Sequence, residues 1–183
     1  ECSAMSVRLL GASFDLHLGG EDLIFPHHED EIAQSEGAGL QRSGERFVKY
    51  WLHAAHLLVD GKKMAKSLGN FYTLRDLLAK GFTGREIRHL LLTAHYRAPF
   101  NFTIDNLIGS RTALARLDEC FAKLREIAGP TRADADAKPL TDFSNAMDDD
   151  LNVSSAWGRV FDWIREVNRL LDAGKVSAVE AAL

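Results

Sequence analysis

The hydrophobic positions in the first 70 residues follow two different periods. Short alternating or continuous β-prone runs predict strands, and stretches with a period near 3.6 predict helices. The pair Asp60-Gly61 is a strong signal for a two-residue hairpin turn. The pattern predicts, in chain order, a helix over 3–10, a strand over 13–18 followed by a glycine turn at Gly19-Gly20, a helix of roughly ten residues between Pro26 and Gly37, and strands over 48–53 and 57–59. This part of the chain is therefore of the α/β class.

After residue 72 the pattern is helical. Thr73 and Thr83 are predicted N-caps of two short helices, and Thr83-x-x-Glu86 has the spacing of a capping box. Further amphipathic helices follow, interrupted by a polar linker over 131–138, and a last helix is predicted from about Val176. Their predicted core positions are Ile104, Leu107, Ile108, Leu114, Leu117, Phe121 and Leu124, then Leu140, Phe143 and Met147, then Val153, Ala156, Val160, Phe161, Ile164, Val167 and Leu171. Helices joined by short links predict a helical bundle from about residue 100.

Composition and charge narrow the function classes. The chain is 46% hydrophobic and 26% charged, which is typical of a globular protein, and no run of about 18 apolar residues predicts a membrane span. Two distant cysteines and the lack of a signal peptide favour a cytoplasmic setting. Lys plus Arg against Asp plus Glu count 1 to 8 over 1–41 but 11 to 4 over 42–97. The basic segment is a candidate polyanion contact, although solvated helix faces would give the same count.

Three residues have the chemistry of a zinc site. His27 and Glu31 lie four apart on a predicted helix and share a face, and Cys2 offers a thiolate from another helix start. His28 is three residues from Glu31, so spacing alone does not choose between the two histidines. An ordinary His/Glu surface pair is the alternative, and a structural zinc site would need a fourth ligand from elsewhere.

A basic loop follows the predicted hairpin. Lys63 and Lys66 lie three residues apart, where their ammonium groups can hold a polyphosphate and stabilise the charge that develops on phosphoryl oxygens. An exposed basic turn is the simpler interpretation. The nearby pair Gly19-Gly20 matches neither a Walker loop nor a dinucleotide fingerprint.

Three strings are together more specific than these separate features. They are FDLHLGGEDLIFPHHEDEIAQSE, YWLHAAHLLVDGKKMAKSLGNFYTLRDLL and MDDDLN. With them the chain closely resembles the cysteinyl-tRNA synthetases along essentially its whole length, and the middle string is a variant of the class I KMSKS signature. The resemblance implies the second half of a Rossmann-like catalytic domain with the KMSKS-type loop over 1–72, a helical connector that contacts the tRNA stem over 73–100, and an antiparallel, tRNA-binding helical bundle over 101–183.

The resemblance also implies that the chain is a fragment, since it begins at Glu1 without an initiator Met. The N-terminal catalytic half, with a His-Ile-Gly-His signature and a fourth zinc ligand, is then expected outside it. So are the end of the bundle and a C-terminal anticodon-reading domain. We expect the fragment alone to be inactive.

For the amino-acid pocket, the resemblance assigns residues one by one. Cys2, His27 and Glu31 match three of the family's four zinc ligands, and the ion is implied to bind the substrate thiolate, which a neutral serine hydroxyl cannot replace. His17 matches the histidine beside the cysteine side chain. Asp22 matches the aspartate that receives the ammonium group of the amino acid.

For the nucleotide, the resemblance points to the basic loop and the glycine pair. Lys63 and Lys66 match the two catalytic signature lysines, and Lys66, with Gly19-Gly20, is implied to bind ATP with Mg²⁺. Two positions depart from the family pattern. Ala65 replaces the usual serine, where little loss is expected, and Leu18 replaces a usual glycine, where a side chain is expected to crowd the adenosine side.

The implied activity is the ATP-dependent formation of cysteinyl-adenylate and transfer of cysteine to the 3′ end of cysteine tRNA. A cytoplasmic monomer with no membrane partner is expected. Two alternatives stay open. One is the ligase that joins cysteine to an amino sugar in mycothiol synthesis, and the other is a non-catalytic tRNA-binding module.

Overall fold

A computed structural model of the chain describes residues 1–129 and 138–177. The chain divides into two compact units, one formed by Glu1–His56 with Tyr96–Pro99 and the other by Leu57–His95 with Phe100–Leu183. Within the described ranges, no helix combines the length and the apolarity needed to cross a bilayer. The predicted linker before residue 138, and the predicted last helix beyond residue 177, lie outside the described residues.

The first unit contains a two-stranded parallel sheet. Strand β1 (Phe14–Gly20) pairs with β2 (Val48–Ala54), and His17 lies opposite Trp51. Helix α1 (Cys2–Leu10) precedes β1, and α2 (Glu29–Gly37) lies between the two strands in the chain. The two helices are tied together by a hydrogen bond of 2.8 Å from Ser3 Oγ to Gln34 Oε1.

The two faces of this sheet differ in chemistry. Because side chains alternate along a strand, His17 and Trp51 share one face, and Leu16, Leu18 and Tyr50 share the other. Leu16, Leu18 and Tyr50 are 52, 57 and 70% exposed. Parallel sheets are ordinarily covered on both faces. The exposed face of Leu16, Leu18 and Tyr50 therefore has the chemistry of a surface that packs against another layer.

Two predicted boundaries in the first unit are wrong. Gly19-Gly20 does not form a turn after the strand but ends β1, where the two glycines pair opposite His53 and Ala54. The parallel partner strand, which local sequence does not reveal, extends the ladder through them. Helix α2 begins at Glu29 rather than at Pro26, because residues 24–28 form a wider π-type turn.

The second unit opens with a small sheet of order β4-β3-β5. Strand β3 (Leu57–Val59) and β4 (Lys62–Lys63) form an antiparallel hairpin, whose turn residues Asp60 and Gly61 have φ values of 51° and 74°. Two positive φ angles are typical of a type I′ turn, so the predicted hairpin is confirmed. Strand β5 (Phe100–Phe102), which pairs parallel with β3, was not predicted from the sequence.

The predicted helices that fall within the described residues of this unit are present. Thr73 and Thr83 both form capping boxes, and Thr103 caps the longest helix through a bond from Asn106 N. The helices are α3 (Leu74–Ala79), α4 (Gly84–Leu91), α5 (Ile104–Ala128), α6 (Lys138–Asp148) and α7 (Val153–Asp172).

Two apolar clusters form the core of the second unit. One joins the sheet to α3, α4 and the start of α5, and the other joins α5 to α7. Three predicted core positions are largely outside it, since Ile108 and Leu140 are each 48% exposed and Phe143 is 36% exposed. Helix α6 buries the smaller Ala146 instead. Periodicity places residues on a face, but it does not say how much of that face a neighbouring helix covers.

Candidate functional site

In the first unit the structure brings the three predicted metal ligands together. Cys2 begins α1, His27 lies in the turn before α2, and Glu31 lies in the first turn of α2. One ligand atom from each of the three lies within 4.8 Å of the others. His27 Nε2 is 3.9 Å from Glu31 Oε1. The packing of α1 on α2 thus places a thiol, an imidazole and a carboxylate around one point.

The same carboxylate belongs to a second group of ligand atoms. His17, His28 and Glu31 also offer atoms within 4.8 Å of one another, and His17 Nε2 lies 3.3 Å from Glu31 Oε2. His27 and His28, which spacing could not separate, therefore lie on two sides of one glutamate. The geometry alone leaves both sets as candidates.

Glu31 is the residue on which a fit to a metal ion can be judged. It is 3% exposed, and its Oε2 atom accepts no hydrogen bond from any described residue. A buried carboxylate costs free energy unless a cation or hydrogen-bond donors compensate its charge. Sulfur, nitrogen and oxygen donors are the set that zinc takes, so the residues present fit this ion.

Aromatic rings cover the predicted substrate histidine. The ring of His17 stacks on Trp51 with centroids 4.7 Å apart, and His28 Nδ1 lies 2.8 Å from His53 Nε2. Burial lowers the pKa of His28 below its ordinary value, and the nearby rings of His17 and His53 lower it further. Sequence reasoning missed Trp51 and His53. Their two-residue spacing puts both on one face of β2, and the register of the two strands makes it the face that carries His17.

Of the two predicted nucleotide glycines, Gly19 lies against the His28 ring of this cluster and Gly20 lies beside Asp22. A Cβ atom added to Gly19 would lie 2.5 Å from Cε1 of His28, and one added to Gly20 would lie 2.5 Å from Oδ1 of Asp22. At position 19 only glycine lets the strand backbone pass so close to the buried ring of His28. Asp22 itself is exposed, and Leu18 lies on the face opposite His17.

The predicted phosphate-binding lysines lie in the second unit. Lys63 ends β4, and Lys66 begins a 3₁₀ turn over Lys66–Leu68 that Gly69 ends with φ 65°. Both lysines are exposed, and neither forms an ion pair among the residues that the structure describes. Lys66 Nζ lies 5.5 Å from the centroid of the Phe71 ring.

The basic segment over 42–97 contributes to both units. On α4, the exposed Arg85 forms two hydrogen bonds to the carboxylate of Asp118 on α5, at 2.6 and 2.7 Å. Arg88 on the same helix is also exposed. Part of the excess charge predicted for a polyanion contact is therefore matched within the protein.

Comparisons with known proteins agree with this picture. Residues 1–112 match the family described as the tRNA synthetases class I (C) catalytic domain, and residues 142–183 match the DALR domain. A cysteine–tRNA ligase of Chlamydia pneumoniae is 49% identical over 99% of this chain and 39% of its own length. One from Protochlamydia amoebophila is 49% identical over 99% of this chain and 38% of its own length.

The fold has a neighbour among solved structures. The agnB2 LeuRS of Agrobacterium radiobacter K84, solved in a ternary complex with tRNA and LeuAMS, superposes with a TM-score of 0.70. The match covers 92% of this chain and 23% of that one at 18% identity, which supports the fold alone. The chain spans about two fifths of the length of its curated relatives. Because residues 1–112 match the class I (C) catalytic domain, the chain belongs to the class I (C) tRNA synthetases.

Proposed function

We propose that this chain is part of a cysteine–tRNA ligase, which activates cysteine with ATP and transfers it to the 3′ end of cysteine tRNA. The observation that carries the proposal is the convergence of a thiol, an imidazole and a buried carboxylate, since ligand atoms of Cys2, His27 and Glu31 lie within 4.8 Å of one another. The names of the 49% identical relatives support the amino acid. They also favour tRNA over an amino sugar as the acceptor.

At the proposed amino-acid pocket, Cys2, His27 and Glu31 would hold a zinc ion, together with a fourth ligand outside this chain. When bound, the ion supplies a soft Lewis acid for a substrate thiolate, which selects cysteine over serine. His17 lines the pocket, held in place by its stack on Trp51. Asp22 supplies a carboxylate for the substrate ammonium group.

Among the proposed nucleotide-binding residues, Gly19-Gly20 in the first unit offers ATP a strand backbone that carries no side chains of its own, and Lys66 in the second unit offers a positive charge to the phosphates. Phosphoryl and adenylyl transfer depend mainly on positioning and on neutralising the charge that develops on the phosphate oxygens. Lys63 and Lys66 would do this with Mg²⁺, without forming a covalent intermediate.

The remaining parts are proposed on the same basis. Residues 1–72 would form the second half of a Rossmann-like domain, whose other layer would cover the exposed face of Leu16, Leu18 and Tyr50. Residues 73–100 would contact the tRNA stem, and residues 101–183 would form an antiparallel bundle along the tRNA. We propose a cytoplasmic monomer.

The test is cysteine-dependent exchange between ATP and pyrophosphate by the full gene product. We expect exchange with cysteine to exceed exchange with serine by a factor on the order of 10² or more, because the pocket is built around a thiolate ligand. Glu31→Gln should lose tightly held zinc, measured by metal analysis after chelator washing, and most of the exchange. Exchange driven equally by another amino acid would contradict the proposal.

A further inference from the structure

The lysine loop is closed by one side chain, that of Asn70. Its Nδ2 group donates to the carbonyl oxygens of Val59 at 3.3 Å and Lys63 at 3.2 Å, and its Oδ1 atom accepts from the backbone N–H of Ala65 at 2.9 Å. A single planar amide thus joins the loop at two points to strand β3. The Nδ2 group thus makes two hydrogen bonds as a donor, and the Oδ1 atom makes one as an acceptor.

These bonds fix the backbone on both sides of the loop. Lys63 O and Ala65 N flank Met64, and Ala65 N directly precedes the residue whose charge is proposed to meet the phosphates. Val59, at the other end of the clamp, is 1% exposed and belongs to the apolar core. The amide therefore connects the exposed lysine loop to the buried core of the unit.

The neighbouring residue acts on the lysine itself. Phe71 follows Asn70 in the chain, and its ring lies 5.5 Å from Lys66 Nζ, within the distance of a cation–π contact. The backbone clamp and this contact together restrict where the Lys66 ammonium group can lie. In contrast, the far end of the same hairpin is held by a different asparagine, since Gly61 N donates to Asn101 Oδ1 at 2.7 Å.

We propose that Asn70 is a positioning residue that places the charge of Lys66 for ATP. This inference rests on the proposed function and adds a residue to it. Asparagine is suited to the role because one rigid group carries two donors and one acceptor. Aspartate has nearly the same shape but has no donors, and it would set a carboxylate against two carbonyl oxygens.

The experiment compares Asn70→Ala and Asn70→Asp with Asn101→Ala in the full gene product. The assay is cysteine-dependent exchange between ATP and pyrophosphate, with the rate and the KM for ATP measured separately. We expect both Asn70 variants to lower kcat by a factor on the order of 10 to 100, as small displacements of a catalytic group do. Asn101→Ala should stay within a few-fold of the parent. Thermal unfolding of each variant shows whether it is folded.

Coupling to Lys66 separates positioning from simple stability. If Asn70 acts through Lys66, then adding Asn70→Ala to Lys66→Ala should lower kcat little beyond the single Lys66 variant. Equal losses in the Asn70 and Asn101 variants, or fully additive losses with Lys66→Ala, would overturn the inference. Exchange at the parent rate in both Asn70 variants would overturn the inference about Asn70 but not the proposed function. Absence of cysteine-dependent exchange in the unsubstituted protein would overturn the proposed function as well.

Discussion

Replacing Glu86 with Gln tests how far one charge pair stabilises the second unit. Glu86 Oε1 accepts a hydrogen bond from Arg111 Nε at 2.6 Å, and Oε2 accepts one from Thr83 N at 2.7 Å. Glu86 is only 8% exposed. The bond to Arg111, followed by the bonds to Thr83, favours the ionised carboxylate and lowers the pKa of Glu86 from 4.5 to about 2.

The size and sign of the effect follow from this pKa. A tenfold change in an acid constant corresponds to about 1.4 kcal/mol, so the pKa of Glu86 sets an upper limit of roughly 3 kcal/mol on the stabilisation. Water around the half-exposed Arg111 screens the pair, and we expect about 2 kcal/mol. Because the pKa is lower in the folded state, this contribution is complete above pH 4.5 and is lost as the pH falls toward 2.

Urea unfolding followed by helical circular dichroism measures the effect. At pH 7 we expect Glu86→Gln to lower the free energy of unfolding by about 2 kcal/mol, and the two proteins should converge as the pH approaches 2. The matched control is Glu119→Gln, since Glu119 pairs with Lys123 on the exposed surface of α5 and should change stability far less. An equal loss at pH 7 and pH 2 would show that shape, not charge, is responsible.

Three further predictions address the proposed site. Lys66→Ala should slow cysteine-dependent pyrophosphate exchange in the full gene product on the order of 10²-fold, chiefly through kcat; a change within a few-fold would remove this lysine from the mechanism. Gly19→Ala should cost about 1–3 kcal/mol in urea unfolding, because the new methyl group meets the buried ring of His28. Gly37→Ala, where a Cβ meets nothing within 4 Å, is the control. Arg88→Glu should weaken tRNA binding and reduce its salt dependence while leaving cysteine activation nearly intact, and an unchanged tRNA affinity at physiological salt would contradict a tRNA contact on α4.

Features that depend on a few neighbouring residues were predictable from the sequence. The hairpin at Asp60-Gly61 and the helix caps at Thr73 and Thr83 are all present, because turn and cap chemistry is local. Strand β5 was missed because three residues carry almost no periodic signal. Its partner β3 lies about forty positions earlier in the chain, so only the tertiary structure defines it.

The site was predictable in its residue types but not in its arrangement. Spacing placed His27 and His28 equally well beside Glu31, and the structure shows why: the two rings approach the carboxylate in two different groups of ligand atoms. The cover of His17 by Trp51 depends on the register of two parallel strands. No pattern within either strand contains that register.

Two buried glutamates show how surroundings separate a structural carboxylate from a candidate binding group. Glu86 and Glu31 are 8% and 3% exposed, and each lies in the first turn of a helix. Glu86 has its charge compensated by Arg111 and its capping bonds, so removing it should cost stability. Glu31 has histidines and a thiol as neighbours, and one of its oxygens accepts no hydrogen bond from the described residues. A buried carboxylate is stabilised by a cation or by hydrogen-bond donors, and the donor atoms around Glu31 are of the types that bind zinc, so Glu31 is the group on which we centre the proposed metal and amino-acid site.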